Sequence, residues 1–266
     1  MRAALVTEYR KLVTTRVWWV LLVVMVLYMA FLSAVMGWAF SQGGGTGPDG
    51  EVPVSGEGVV RAVYTIAVTF GYVFPLVVGA LGVSSEFRHQ TITPTLLAQP
   101  RRTVVLTAKM VAGGVLGIAF GVAGTAASVG AGAGVLALLG EPTYLDEGST
   151  WRILAQSALA LAIWALVGVG FGWVLTQQVA VVVVLLAFTQ FVEPVLRFVL
   201  AQASWGEGIA RYLPGAAGEA VSGGSLYAEV GAGTLLPWWQ GLLVLVGYAV
   251  VFAVIGRLTT LRRDIT

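Results

Sequence analysis

The sequence contains no cysteine and only one histidine, His89. The absence of cysteine excludes disulfide bonds, thiol catalysis and thiolate metal sites. One histidine cannot supply both axial ligands of a haem within one chain. Neither lysine, Lys11 nor Lys109, stands in a glycine-rich phosphate loop, so the chain has no nucleotide-hydrolysis motif of its own. We therefore expect no catalytic residue, no metal site and no resident cofactor.

Charged residues are also scarce. They make up 11% of the 266 residues, whereas 58% of the residues are hydrophobic. Ordinary soluble domains are about 25% charged. Long uncharged runs separate the few charged segments, and these runs match the roughly 20 residues that a helix needs to cross a bilayer. These features predict an all-α integral membrane protein with a single transmembrane domain over 1–266.

Six membrane-spanning helices are predicted from the apolar runs. Pro75 is expected to kink the second span, and a turn at 176–178 to join the fourth and fifth spans as an antiparallel hairpin. Residues 203–236 are too apolar for a solvated loop and too interrupted to span, so we expect short re-entrant helices there, on the extracellular side. The predicted limits of the six spans are 17–40, 62–83, 104–139, 153–175, 178–200 and 237–256.

A basic amphipathic segment, residues 1–16, precedes the first span. Leu5, Tyr9 and Leu12 fall on one face of a helix, whereas most of the charged residues fall on the other. Such helices lie flat at a membrane surface. We predict an interfacial helix rather than a cleaved signal peptide, because the apolar run that follows is too long for one.

The distribution of basic residues orients the chain. With the N-terminus inside, eleven basic residues lie on the cytoplasmic side and four lie outside. Lys109 is expected to extend from the third span back towards the cytoplasmic side. Basic residues concentrate in the cytoplasmic loops of membrane proteins. We therefore expect a multi-pass protein of a bacterial cell (inner) membrane, with both termini in the cytoplasm.

A polar segment, residues 84–102, separates the second and third spans and reads SSEFRHQTITPTLLAQPRR. It must lie outside the hydrocarbon, because a charged side chain at bilayer depth costs about 2.5 to 3.5 kcal/mol. Ser84 or Ser85 is placed to cap one helical turn, and Thr93 to cap another with Pro94 at its first position. We interpret this stretch as a cytoplasmic coupling segment that continues the second span.

The coupling segment offers side chains to a soluble partner. Glu86 and Arg88 provide opposite charges for pairing across an interface, and Leu96 provides an apolar anchor. The alternative is that its arginines only set the topology and contact lipid phosphates. The residues that we assign to coupling are Glu86, Phe87, Arg88, His89, Thr91, Ile92, Leu96 and Leu97.

Glycines recur at intervals of four in two spans. The third span contains Gly113, Gly117 and Gly121, and the fourth contains Gly168 and Gly172. Small residues at this spacing allow a second helix to approach closely. A glycine-rich chain also produces such spacings through composition alone. We predict that these five residues pack helices together.

The fifth span ends on charged residues. Glu193 and Arg197 are four residues apart, a spacing at which side chains pair along a helix. At a rise of about 1.5 Å per residue, Glu193 lies near the outer interface rather than at the centre of the bilayer. The two residues form either a local ion pair or a polar gate.

Four stretches of the chain resemble the type 2 ABC exporter permeases, the membrane subunits that pair with a separate ATPase. They are TTRVWW, SSEFRHQTITPTLLAQPRRTVVLTAK, GVGFG and RYLPGAAGEA, and the resemblance covers nearly the whole chain. It implies two identical or similar six-span permeases bound to two copies of a cytoplasmic ABC ATPase subunit, which holds ATP and magnesium. Membrane lipid is the other expected partner, and nucleic acid is not expected.

The resemblance implies export of a hydrophobic or amphipathic cargo, drug-like or lipid-like. Coupling would run through the interfacial helix and the coupling segment, although the turn at 176–178 lacks the basic residue expected there. The alternatives are a non-transporting scaffold and an autonomous secondary transporter, for which Glu193 is the only deep acidic candidate. A cargo path is implied near spans two and five, and we assign to it Phe70, Phe74, Gln190, Glu193 and Arg197.

Overall fold

The computed structural model describes residues 1–42, 56–203, 205–224 and 234–261, and within these ranges the chain forms helices and no strand. The stretch between the first two predicted spans, 41–61, lies mostly outside the described residues. In chain order the elements are α1 (Arg2–Thr14), α2 (Val17–Ser41), α3 (Glu57–Tyr64), α4 (Ile66–Thr69), α5 (Val73–Arg88), α6 (Ile92–Ala98), α7 (Arg102–Leu138), α8 (Gly148–Val174), α9 (Gln178–Ala187), a π turn (Phe188–Val192), α10 (Glu193–Ala201), α11 (Gly206–Ala210), α12 (Pro214–Ser222) and α13 (Trp238–Thr259).

Five helical segments are long and apolar enough to cross a membrane. They are α2, α7, α8, the continuous helix Gln178–Ala201 and α13. Their outward faces are apolar, as on α2, where Leu27 is 65% exposed and Phe31 is 66% exposed. Extensive apolar surface of this kind suits contact with lipid rather than with water. The predicted all-α class is therefore confirmed, with five of the six predicted spans present as helices of sufficient length.

The second predicted span, 62–83, is not one continuous helix. α3, α4 and α5 cover this stretch, with a break at 70–72. Pro75 has no N–H to donate to the carbonyl of Gly71, which instead accepts a hydrogen bond from the Phe74 N–H at 3.1 Å. The kink predicted at Pro75 is therefore found one turn earlier, as a complete break in the helix.

α5 continues without interruption to Arg88, so the cap predicted at Ser84 or Ser85 is wrong. The Ser84 hydroxyl donates to the carbonyl of Ala80 at 3.0 Å, as serines inside helices commonly do. The coupling segment thus begins as a rigid continuation of α5. A force applied to the coupling segment would be transmitted along the whole of α5.

Two other helices begin earlier than predicted. α6 starts at Ile92 rather than after Thr93, so Pro94 lies within its first turn. Proline is tolerated there because the first amides of a helix have no intrahelical acceptor. α8 starts at Gly148, five residues before the predicted 153. The connection between the third and fourth spans is therefore shorter than predicted.

The fifth predicted span, 178–200, contains the π turn just before Pro194. Proline cannot donate to the preceding turn, and a π turn is one of the local adjustments that accommodate such a gap within a membrane helix. The helix therefore continues to Ala201. The two short helices predicted within 203–236 are present as α11 and α12, while residues 225–233 lie outside the described part.

α8 is the centre of the fold. α5, α7, α12 and α13 all pack against it, and its Trp164 and Trp173 are almost fully buried. At one end of the bundle, Thr260 donates to the carbonyl of Trp173 at 2.6 Å, and Arg102 donates to the carbonyl of Leu261. The coupling segment, α1 and the end of α13 therefore share one end, whereas α11 and α12 lie at the other.

The predicted packing glycines all lie at close helix contacts. An added Cβ at Gly113, Gly117 or Gly121 would collide with α8. A Cβ at Gly168 or Gly172 would collide with carbonyl oxygens of α5. These contacts bring backbones together without the bulk of a side chain. They hold α5, α7 and α8 in fixed relative positions, and the two charged clusters described next lie along this framework.

Candidate functional site

Four charged side chains from three helices meet beneath the N-terminal helix; we call them the α1 cluster. The ammonium of Lys109 lies 2.5 Å from a Glu86 oxygen and 3.1 Å from a Glu8 oxygen. The ammonium of Lys11 lies 2.6 Å from the same Glu86 oxygen and 2.9 Å from the other Glu8 oxygen. Two carboxylates and two ammonium groups make the cluster electrically neutral. It joins α1, the end of α5 and the start of α7.

The α1 cluster is buried. Lys109 is 3% exposed, Glu86 5% and Glu8 8%, and the Lys109 ammonium also donates to the carbonyl of Gly82 at 3.0 Å. Removing one member of a buried ion pair leaves an uncompensated charge and costs about 3 to 5 kcal/mol. Loss of any one of these side chains would therefore weaken the attachment of α1 to the bundle.

Two expectations for this region are corrected. Lys109 does not extend to the cytoplasmic surface, because its ammonium is engaged inside the bundle. Glu86 was expected to pair with a soluble partner, but its carboxylate is buried and already pairs with Lys11 and Lys109. A carboxylate that points into a helix interface needs an internal counter-charge. These pairings join residues 23 to 101 positions apart, so local sequence gives no signal for them.

The Lys11 ammonium is the most accessible charge of the cluster. Burial lowers its pKa, but the hydrogen bond to Glu86 and the negative charges of Glu86 and Glu8 outweigh burial and raise the pKa above its usual value. A raised pKa in the folded state means that this stabilisation is complete below about pH 10.4 and is lost as the pH rises through the folded value. Lys11 therefore remains charged, and α1 remains anchored, at every physiological pH.

The orientation of α1 also differs from the prediction. Leu5 and Leu12 are half-buried, whereas Tyr9 is 66% exposed. The face that packs on the bundle contains Glu8, and much of the apolar face points away from it. A cavity of about 300 Å³ lies between α1, α5 and α7, with Trp18 and the α1 cluster in its wall. The outward apolar residues of α1 are placed to contact lipid.

The coupling segment divides into a buried and an exposed set. Ile92 is 2% exposed, and Leu96 and Phe87 are half-buried in the small core around Trp173. The Phe87 and Trp173 rings meet edge to face at 6.1 Å. The exposed residues of the predicted set are Arg88, His89, Thr91 and Leu97. Leu97 is 78% exposed and is the largest apolar side chain of the segment available to a partner.

The turn between the fourth and fifth spans lies beside Arg88. The Arg88 guanidinium donates to the Gln178 side-chain oxygen at 3.3 Å. A shallow groove of about 370 Å³ is lined by both residues and by Phe87, Thr176 and Gln177. The turn itself has no basic residue, but α5 places one next to it.

At the other end, Glu193, Arg197 and Glu219 meet at the start of α12; we call them the α12 cluster. The Arg197 guanidinium donates to Glu193 at 2.9 Å and to Glu219 at 3.0 Å. The same Glu193 oxygen accepts the backbone N–H groups of Gly215 at 2.6 Å and Ala216 at 3.3 Å. Glu193 thus caps α12 from another helix, where a carboxylate is favoured by the free amides and the helix dipole.

Gly215 is required for this arrangement. A Cβ at that position would lie 2.5 Å from both the Glu193 oxygen and the Arg197 guanidinium. Glu193 is 1% exposed and Glu219 is 2% exposed. Sequence reasoning identified the Glu193–Arg197 spacing but missed Glu219. The only available signal was its position in the RYLPGAAGEA stretch, because its contact with Arg197 is tertiary.

The break before α5 and the π turn lie next to each other near this cluster. The Tyr72 hydroxyl donates to the carbonyl of Thr189 at 3.2 Å, and the Tyr72 and Trp164 rings lie 4.4 Å apart. α5 therefore reaches from the α1 cluster, through Glu86, to the neighbourhood of the α12 cluster, through Tyr72. A 16-residue helix of this kind is about 24 Å long.

The predicted path residues are only partly brought together. Glu193 and Arg197 are in the α12 cluster, whereas Gln190 is exposed and its side-chain amide donates to the Thr189 hydroxyl at 3.4 Å. Phe70 and Phe74 are half-buried and pack against the main core, with Phe74 6.1 Å from the ring of Tyr28.

Metal binding is not indicated in the described ranges, where no group of three or more histidine, aspartate or glutamate side chains is placed to hold a metal ion. The two clusters can carry charge and hold helices together, and the exposed coupling residues can contact another protein. Neither a comparison with models of known protein families nor one with curated proteins gives a match to this chain.

Proposed function

We propose that this chain is the membrane permease subunit of an ATP-driven exporter, which uses a separate cytoplasmic ATPase to move a hydrophobic or amphipathic cargo outward. The observation that carries the proposal is the α1 cluster. It locks the N-terminal helix, the end of α5 and the start of α7 into one unit, directly beside an exposed coupling segment. Force applied to α6 would move all three helices together rather than bend one of them.

α5 provides the connection to the far end of the bundle. It begins at the break near Tyr72 and ends in the coupling segment, and its backbone packs tightly on Gly168 and Gly172 of α8. A rigid helix that is broken at its far end can shift as one body. We propose that this shift reaches α12 through the contact between Tyr72 and the π turn.

The topology that we propose has six spans, with α4 and α5 together forming the second. The N-terminus, coupling segment and C-terminus are cytoplasmic in a bacterial inner membrane, which agrees with the eleven-to-four distribution of basic residues. Two permeases, identical or similar, would bind two ATPase subunits that hold ATP and magnesium. The exposed residues Arg88, His89, Thr91 and Leu97 are the contacts that we propose for the ATPase.

One observation favours a second candidate, a proton-coupled secondary transporter. Ionisable residues buried within membrane proteins often mark ion pathways, and the α12 cluster contains two buried carboxylates, Glu193 and Glu219. Such a transporter would need no ATPase. The coupling segment would then have no ATPase to bind. Whether its exposed side chains bind an ATPase therefore distinguishes the two functions.

We expect the Leu97→Asp variant to lose association with the ATPase while inserting and folding normally. Leu97 is exposed and contributes little to the core, so its replacement changes the surface rather than the fold. The measurement is co-purification of a soluble ATPase from native membranes with tagged wild-type and variant chains. An interface hot spot typically costs 2 kcal/mol or more, about a thirtyfold loss of affinity.

The matched control is Leu138→Asp, because Leu138 is 88% exposed but lies at the opposite end of α7. This control should retain the ATPase. Equal recovery of an ATPase by wild type and Leu97→Asp would contradict the proposed docking surface. Recovery of no ATPase, even by the wild-type chain, would favour the secondary transporter.

A further inference from the structure

The cavity beneath α1 changes from polar to apolar along its length. It has a volume of about 300 Å³ and lies between α1, the start of α2, α5 and α7; we call it the α1 cavity. Along α5, towards the coupling segment, its wall passes from Val78 to Ser85 and Glu86. Along α7, towards the same end of the bundle, its wall passes from Leu116 to Lys109. The α1 cavity therefore has a polar end beside the coupling segment and an apolar end inside the bundle.

The connection from α1 to α2 follows the same order. Thr15 lines the α1 cavity before α2 begins, and Val17 and Trp18 of α2 line it next. The Trp18 indole donates to the carbonyl of Leu12 at 2.6 Å, which holds the ring in the wall. Tryptophan is enriched at the interface between a bilayer and water, and Val17 is 51% exposed. The α1 cavity thus lies at the start of a membrane-spanning helix, at the level of lipid head groups.

The fixed charges in the wall of the α1 cavity balance one another. Glu8, Lys11, Glu86 and Lys109 all line it, and they pair among themselves as two carboxylates and two ammonium groups. A ligand with a net charge would therefore find no excess of opposite charge in this wall. A head group that carries one positive and one negative charge can place each of them near a group of opposite sign. The polar end thus suits a zwitterionic head group.

The apolar end suits a hydrocarbon chain rather than water. Val78, Leu116 and Val169 form part of its wall, and each is less than 10% exposed. Such a wall offers no hydrogen bonds to water, whereas an alkyl chain is favoured against it. The volume is at the lower limit of ligand sites, which extend from about 300 to 1,000 Å³. The α1 cavity therefore has room for one chain and not for a whole two-chain lipid.

We propose that the α1 cavity binds one acyl chain of a zwitterionic phospholipid. The chain lies against Val78 and Leu116, the head group lies beside Lys11 and Glu86, and the second chain remains in the bilayer. The bound chain contacts α2 on one side and α5 and α7 on the other. It therefore adds apolar contacts to the attachment that the α1 cluster provides at the base of the coupling segment. This lipid is a resident part of the folded chain and is not the cargo.

The test uses the purified chain without an ATPase, so its outcome does not depend on the proposed function. The chain is reconstituted in vesicles of phosphatidylcholine that contain a trace of the same lipid with a photoactivatable diazirine in one acyl chain. After illumination, labelled positions are mapped by mass spectrometry. Bulk lipid reaches Leu27, which is 65% exposed, but not Val78 or Leu116, which are 5% and 9% exposed. Label on the last two residues therefore reports a chain inside the α1 cavity.

Two variants fill the α1 cavity. Gly82 lines it, and a side chain added there meets open space, so Gly82→Leu occupies the cavity without displacing a helix. Ala112→Leu fills it from α7. The matched control is Gly130→Leu, because Gly130 also meets open space but does not line the cavity. Excluding two methylene groups of the chain from an apolar site lowers affinity by about tenfold or more.

We expect label on Val78 and Leu116 in wild type and in Gly130→Leu, and about tenfold less in Gly82→Leu and Ala112→Leu. Label on Leu27 should be equal in all four proteins. An anionic phosphatidylglycerol probe with the same diazirine chain should label Val78 and Leu116 less than the phosphatidylcholine probe. Absence of label from both buried residues in wild type, or equal label in the two filled variants, would overturn the lipid site. Equal or stronger label from the anionic probe would overturn the zwitterionic head group.

Discussion

Replacing Arg197 with glutamine should lower the stability of the protein by about 3 to 5 kcal/mol, because two buried carboxylates would lose the cation that they share. The measurement is thermal unfolding in detergent, followed by the loss of soluble monodisperse protein. A simple helical pair four residues apart contributes only about 0.2 to 0.5 kcal/mol. The size of the effect therefore distinguishes the buried α12 cluster from the local ion pair that the sequence suggests.

Arg211→Gln is the matched control, since Arg211 is exposed at the same end of the bundle. It should be neutral within about 0.5 kcal/mol. Adding Glu219→Gln to Arg197→Gln should recover part of the loss, because fewer buried charges then remain. Exchanging Glu193 and Arg197 should not restore stability, since a guanidinium would then face the amides of α12. A loss in Arg197→Gln no larger than in Arg211→Gln would contradict this description of the cluster.

Replacing Lys109 with methionine should release α1 from the bundle, again with a loss of about 3 to 5 kcal/mol. Lys109 is the most deeply buried cation of the α1 cluster and contacts both Glu8 and Glu86. Methionine keeps the volume and removes the charge. The measurements are thermal unfolding and the rate of proteolysis within residues 1–16. Export should also fail, if the proposed coupling is correct, because α1 would no longer move with α5.

The comparison variant is Lys11→Met, which removes a cation from the same cluster. The Lys11 side chain is 31% exposed, against 2% for Lys109, so water can replace part of its interaction and the loss should be smaller. Lys109→Met combined with Glu86→Gln should regain stability, because the remaining Glu8 and Lys11 are neutral together. Equal effects of Lys109→Met and Lys11→Met would show that the cluster is not a buried unit.

The sequence predicted well what depends on local pattern. Uncharged runs long enough to cross a bilayer as a helix predicted the positions of α2, α7, α8 and α13 to within a few residues. The spacing of the glycines at 113, 117 and 121 predicted a close helix contact. The broken second span was harder. Pro75 signalled a disturbance at the Gly71 carbonyl, which loses its usual donor. Whether the helix kinks or breaks there depends on the surrounding packing, and only the structure shows that the Phe74 N–H takes over this carbonyl.

The tertiary pairings could not be predicted. Glu86 stood out as a charge in the coupling segment, and exposure was the natural assumption for it. Its burial depends on Lys11 and Lys109, which lie 75 and 23 residues away along the chain. Glu219 was missed for the same reason, because it meets Arg197 of α10 only in the folded molecule. The pairing of buried charges depends on tertiary packing, whereas the spacing of apolar and glycine residues can be read directly from the sequence.

In the proposed function, ATP hydrolysis by a partner drives movement of cargo through this chain. The most direct measurement is transport of a fluorescent amphiphile in proteoliposomes that contain the chain and the ATPase that co-purifies with it. The proposal predicts transport that requires ATP, is abolished by Leu97→Asp and is indifferent to an imposed pH gradient. Transport that proceeds without ATP or ATPase and follows the pH gradient would contradict it, and would identify the chain as a secondary transporter.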